Sequence, residues 1–241
     1  GNQGRRWNHS VYILQEDPIM ARSFSKRPLS SKDLMNSTGK KAYLFFDTET
    51  TGLPKSWKEP VANTQNWPHI VQMAWACFDD RGTKLVFKDH IIKPEGFVIP
   101  ESATAIHGIS TEKALAQGVP MAAVLKEFLE AVAGSARLIA HNLDFDEKMV
   151  RVESLRLGMP DIFQTVPKIC TMKSSTEHCK IPGPYGNKWP KLSELHIKLF
   201  GEDFADQHNA ASDVLCCAKC FFELKRLSII SEILLPVSSD R

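Results

Sequence analysis

The sequence predicts an α/β domain built on a mixed sheet with helices packed against it. Three observations predict it. Three strand-like segments come first, and the second and third are joined by a tight Asp80-Arg81-Gly82 turn, so the sheet opens antiparallel. After residue 100 helical and strand patterns alternate, as in crossover connections. The composition is that of a packed globular chain, with 43% apolar and 24% charged residues in 241, which excludes collagen-like and globally disordered classes.

Each element has a local cause. Tyr43–Asp47 is a short apolar run of the kind that forms a buried strand, with Gly52 and Pro54 beyond it. Asn63–Pro68 reads as loop. Ile70–Phe78 is bulky and apolar and reads as the second strand; Leu85–Ile92 reads as its hairpin partner. Ser102–His107 and Thr111–Gln117 have the length of short helices. Pro120 suits the first turn of a longer helix whose Val124, Leu125, Phe128, Leu129 and Val132 share a face, ending at Gly134. Arg137–Ala140 is a fourth strand. Asp144 to Leu157 is a helix stopped by Gly158. Pro167–Thr171 is a short fifth strand, Leu192–Phe200 a helix ending at Gly201, and Asn209 to Leu227 a long helix. Val11–Leu14 is a weak strand candidate.

These signals divide the chain into a basic extension (1–41), a folded domain (42–228) and a tail (229–241). Residues 1–41 hold eight Lys/Arg against three acids, leaving about −3 for the remainder of a chain whose net charge is +2. The extension reads as a solvated arm. Three of the six cysteines fall within Cys216–Cys220. Cys217 and Cys220 form a lone CxxC in an apolar helix, which reads as core and not as zinc site. No apolar run is long enough for a membrane span, and no secretory segment opens the chain. A reducing, cytoplasmic setting is the expectation.

Three acidic segments carry the chemistry. In Asp47-Thr48-Glu49 the carboxylates are two residues apart and on a strand share a face. Two such charges 4 Å apart repel by about 4 kcal/mol at an effective dielectric near 20, and a bound cation removes that penalty. His141-Asn142-Leu143-Asp144-Phe145-Asp146 sits where a strand gives way to a helix, on the side where open α/β sheets place ligands. Gln207-His208-Asn209 to Asp213 opens the last helix. The spacing His-x4-Asp occurs twice, where chance gives less than about one. It leaves His141 and His208 equally placed as a base, and Asp144 and Asp146 both available as acids.

Asp47-Thr48-Glu49-Thr50-Thr51-Gly52-Leu53 resembles the first motif of the DnaQ-like (DEDDh) 3′→5′ exonucleases. His141 to Asp146 is similar to the second motif and His208 to Asp213 to the third, while Ala105-Ile106-His107-Gly108-Ile109 resembles the segment between the first two. The likeness runs from about Tyr43 to Leu224. It implies a ribonuclease H-like fold, a mixed five-stranded sheet flanked by helices. It also implies two Mg²⁺ or Mn²⁺ ions held by Asp47, Glu49, Asp146 and Asp213, with His208 as general base for the attacking water. By the same resemblance Thr50, Thr51, Leu53, His107 and Phe145 meet the 3′-terminal nucleotide. The implied reaction is release of nucleoside monophosphates from a nucleic-acid 3′ end, with single-stranded DNA the first expectation. RNA and a proofreading or accessory role beside a DNA polymerase are the alternatives. A non-catalytic nucleic-acid-binding module is the least favoured, because all four acids and the histidine are present.

Overall fold

A computed structural model describes residues 42–161, 163 and 166–231; the Val11–Leu14 strand candidate and most of the expected tail lie outside them. The main sheet contains β1 (Tyr43–Thr50), β2 (Ile70–Phe78), β3 (Lys84–Ile91), β4 (Arg137–Ala140) and β5 (Lys168–Cys170) in the order β3-β2-β1-β4-β5. β1 pairs antiparallel with β2, Asp47 opposite Ala74, and parallel with β4, Phe45 opposite Ile139. β2–β3 is the expected hairpin. The expected mixed five-stranded sheet is therefore present, and β1, which carries the first acidic pair, is its central strand.

Seven α-helices flank it among the described residues: α1 (Glu101–His107), α2 (Thr111–Gln117), α3 (Met121–Ala133), α4 (Leu143–Arg156), α5 (Thr171–Cys179), α6 (Leu192–Phe200) and α7 (Ala210–Arg226). Side-chain alternation along β1 sorts the core into two layers. Leu44 and Phe46 join Val124, Leu125 and Phe128 of α3 and Met149 and Val150 of α4 on one face. Tyr43 and Phe45 join Val214, Cys217, Phe221 and Leu224 of α7 on the other. Asp47 and Glu49 continue the second row and so emerge beside the start of α7. All six cysteines are free, and Cys216, Cys217 and Cys220 are buried in that layer. Ile230 is buried there too. No helix among the described residues is long and apolar enough to cross a membrane.

Two elements depart from the sequence reading. β1 continues to Thr50, beyond the expected Asp47, because its polar end keeps pairing with β2 as far as Ile70 through an irregularity at Glu49/Thr50. Thr171 opens α5 instead of closing the fifth strand. That helix shows no apolar stripe because two of its inward positions, Thr171 and Ser175, are small and polar. A two-stranded hairpin, β6 (Pro182–Gly183) and β7 (Gly186–Asn187), follows it.

The α2–α3 turn is closed by backbone contact. Lys93 N–H donates to Val119 O, and Val119 N–H to Ile91 O. A Cβ on Gly118 would overlap the Ala114 carbonyl oxygen and stand 2.5 Å from Lys93 N. Gly118→Ala is expected to destabilise the domain by about 1–3 kcal/mol, read as a lowered melting temperature.

Candidate active site

Three elements deliver the four acids to one end of β1. Asp47 and Glu49 come from the strand itself. Asp146 lies in the first turn of α4, whose preceding residue Asn142 takes the left-handed conformation (φ 70°) that turns the chain from β4 into the helix. Thr48 projects opposite to its two acidic neighbours, and both its N–H (3.0 Å) and its hydroxyl (2.8 Å) donate to Asp146 Oδ1. Asp146 is buried, whereas Asp144 is exposed and paired with Lys173 at 2.5 Å. The structure thus separates the two acids that spacing left equivalent.

Asp213 comes from the first turn of α7. Asn209 caps that helix by accepting from Ala211 N–H at 3.0 Å, and Gln72 on β2 anchors it by accepting from Ala210 N–H at 3.2 Å. Gln72 is in turn held through Nε2 by Asp89 at 2.8 Å. Asp213 Oδ1 is buried with no hydrogen-bond partner among the described residues. Side-chain ligand atoms of Glu49, His208 and Asp213 all lie within 4.8 Å of one another. Thr48 lies inside the first motif but is neither acidic nor a base, and Gln72 lies in no motif, so sequence reasoning gave neither a role. Thr48's place between Asp47 and Glu49 was its only hint.

The electrostatics follow from this crowding. Burial first, then Asp146, Asp213 and Glu49, hold the Asp47 carboxyl well above the usual range. Burial and the charges of Asp213 and Asp146 push Glu49 up to about 8. Burial raises Asp146 to about 7 against the opposing Thr48 hydrogen bonds, and raises Asp213 to about 7 against the backbone N–H of His208. Each carboxyl sits in a place that disfavours its anionic form. Oxygen-only acids in such a cluster are the donor set of a hard divalent cation, and the unpartnered Asp213 oxygen is a group that such an ion would satisfy.

The two histidines have different surroundings. His208 is exposed, on a left-handed residue (φ 61°) just before α7. His141 is enclosed: Nε2 lies 2.9 Å from Pro190 O and Nδ1 3.0 Å from Thr171 Oγ1. The carbonyl can only accept, so Nε2 carries the proton and Nδ1 accepts from the threonine. Both nitrogens are engaged within the protein. Burial lowers the His141 pKa to about 4.

The five expected substrate residues sit differently. Leu53 is 74% exposed, so it is not a core residue. Phe145 is partly buried against the α3/α4 layer. The Thr50 hydroxyl donates to Gly52 O (2.7 Å) and Thr51 Oγ1 accepts from His69 N–H (3.0 Å), so both shape the loop after β1. His107 is buried, its Nδ1 accepts from Ile109 N–H at 3.2 Å, and its Nε2 has no partner among the described residues.

Comparison with known proteins identifies the family and the fold. Residues 44–221 match the RNase_T family, described as Exonuclease. The chain is 33% identical over 124 residues to a DNA polymerase III PolC-type of Streptococcus sanguinis, covering 52% of this chain and 8% of that protein. It is 35% identical over 122 residues to a DNA polymerase III subunit epsilon-like protein of Rhodobacter capsulatus, covering 49% of this chain and 15% of that protein. Among solved structures, E. coli exonuclease I with a dA16 oligonucleotide and its zinc-bound form with single-stranded DNA each superpose with a TM-score of 0.63 at 18% identity. Each match covers 78% of this chain and 41% of exonuclease I. The chain thus spans a small part of those polymerase relatives and less than half of exonuclease I, and at this identity the structural likeness speaks to the fold alone. The family match encloses all three acidic segments and, from Leu44 of β1 onward, the sheet that brings them together, so the chain belongs to the exonuclease (RNase_T) family as a DnaQ-like member with the ribonuclease H-like fold.

Proposed function

We propose that this domain is a divalent-metal-dependent 3′→5′ exonuclease that releases nucleoside monophosphates from the 3′ end of single-stranded DNA. The observation that carries the reading is the convergence of Asp47, Glu49, Asp146 and Asp213 from three elements, each with its pKa raised, and with Asp213 Oδ1 buried without a partner among the described residues. Two Mg²⁺ or Mn²⁺ ions held by these carboxylates would supply positive charge to the phosphodiester and to its departing oxygen. The chain's own residues do the rest. His208, exposed beside Glu49 and Asp213, takes the proton of the attacking water. Thr48 fixes the rotamer of Asp146, and Gln72 fixes the start of α7, so the acids are placed before substrate arrives. Leu53 and Phe145 offer apolar contact to the terminal nucleotide, tolerant of base identity. The exonuclease I complexes with dA16 and single-stranded DNA support the choice of a single DNA strand as substrate.

The test is a 5′-labelled single strand, as DNA and as RNA of equal sequence. With Mg²⁺ or Mn²⁺ the DNA is expected to give a ladder shortening from its 3′ end, and excess EDTA to stop it. Undiminished hydrolysis in chelator would overturn the metal reading. Immediate release of a labelled mononucleotide would show the opposite polarity, and cutting of a closed circle an endonuclease. Faster loss of the RNA would favour an RNA 3′-end exonuclease.

A second reading, proofreading beside a polymerase, is favoured by the two polymerase III relatives, of which this chain covers 8% and 15%. Co-purification with a polymerase whose mismatched primer ends it shortens would support that role.

A further inference from the structure

Trp57 is 52% exposed on the loop that follows the Asp47/Glu49 strand, which is unusual for the largest apolar side chain. Its ring lies 5.8 Å from that of Phe145, the residue before Asp146, and 6.5 Å from buried Trp67 in an edge-on arrangement. The loop beneath it is tied at many points. Lys55 N–H donates to Asn66 O (3.0 Å), and Ser56 N–H and O bond the Asn66 side chain at 2.8 Å each. Arg156 of α4 closes the base of the loop, donating to the carbonyls of Thr64 and Trp67 at 2.7 Å each and to Pro68 O at 3.0 Å. Six hydrogen bonds tie the segment that carries the exposed ring. A fixed, solvent-facing aromatic plane costs little entropy when a second ring is laid on it.

Phe145 directly precedes Asp146 in the chain, and Trp57 packs beside its ring, so an exposed aromatic side chain stands next to the residue that adjoins the acids. Bases present π-faces to such side chains, and each stack strengthens binding without reading sequence. Lys55 and Lys58, both exposed in this loop, add positive charge of the kind that attracts backbone phosphates. We infer that Trp57 is a positioning residue that stacks the base next to the 3′-terminal one, so that the enzyme binds an unpaired penultimate nucleotide. The inference rests on the exonuclease reading above and adds a second nucleotide station to that site.

The test crosses Trp57 with the base it would hold. Oligonucleotides of thymidine are prepared intact and with an abasic unit at the penultimate position. In wild type the abasic strand should show a KM about tenfold higher, from the loss of one stack. Trp57→Ala should raise KM about tenfold on the intact strand, leave kcat within twofold, and have no effect on the abasic strand. Trp57→Phe should restore most of the loss. Equal losses on both strands, or none on either, overturn the inference, the first by showing a purely structural role. Binding of the same strands with Ca²⁺, read by fluorescence polarisation, separates this from the reaction: the same crossed pattern supports the station even where no hydrolysis occurs, and its absence removes the station even if the nuclease is confirmed.

Discussion

Asp47→Asn is expected to abolish hydrolysis and, at the same time, to raise the melting temperature of the metal-free protein. Asp47 has three acidic neighbours, and burial and their charges hold its pKa well above the ordinary carboxylate range. Asparagine keeps the volume and removes the charge, so the fold loses a repulsion and gains no cavity. The pH dependence fixes the sign. A carboxyl whose folded pKa exceeds its unfolded value binds protons more tightly in the fold, so stability falls as pH rises between the two values. For Asp146, Asp213 and Glu49 that window opens near 4 and closes at about 7 to 8. In EDTA, wild type should therefore lose stability from pH 5 to pH 8, and Asp47→Asn should lose less. Adding Mg²⁺ or Mn²⁺ at pH 8 should stabilise wild type strongly and the variant weakly. Removing one charge-stabilising group costs about 10²–10³ in kcat, and loss of a carboxylate at the centre of the cluster should exceed that. A variant that melts below wild type at every pH in EDTA would show that these acids do not burden the fold, and the cation reading would lose its main support.

Much of this site was legible because its chemistry is written in residue types whose cost is visible. Two carboxylates flanking Thr48 at the end of an apolar strand have no ordinary structural use, and the central position of β1 shows why: Asp47 and Glu49 continue the row of Tyr43 and Phe45, which belongs to a packed layer. The two helix-start acids were legible for the same reason. What spacing left open was decided by neighbours distant in sequence. His141 and His208 stand alike in the chain, and only Pro190 and Thr171, 49 and 30 residues away, occupy the first of them. Asp144 and Asp146 were separated by Lys173 and Thr48. Gln72 lay unread in a strand that looked purely apolar, because its job is to hold a helix 138 residues away. Helix α5 was missed because small polar residues fill two of its inward places, and Trp57 because an exposed tryptophan in a loop carries no periodic signal.

His208→Ala is expected to lower kcat by about 10²–10⁴, with metal-induced stabilisation largely kept. His141→Ala should do the reverse. His208 is exposed and its ring lies close to the carboxylates of Glu49 and Asp213, the place the proposed general base requires. A base that is not a ligand can be removed without loosening the metal, so the two readouts should part for this variant and fall together for Asp213→Ala. His208→Ala that loses metal stabilisation as fully as Asp213→Ala would make His208 a ligand, a reading its position beside those two acids permits. His141 has both ring nitrogens engaged inside the fold, so its removal strands Pro190 O and a Thr171 hydrogen bond at a cost of about 1–3 kcal/mol. Its lowered pKa gives a second signature. A histidine kept neutral by burial, at about 4 against an ordinary 6.5, contributes stability that is complete above pH 6.5 and is lost as pH falls toward 4. Wild type should therefore exceed His141→Ala in melting temperature by more at pH 7.5 than at pH 5, while kcat at saturating metal stays within several-fold. If His141→Ala, still folded at the assay temperature, loses kcat by a hundredfold and His208→Ala does not, the general base has been assigned to the wrong histidine.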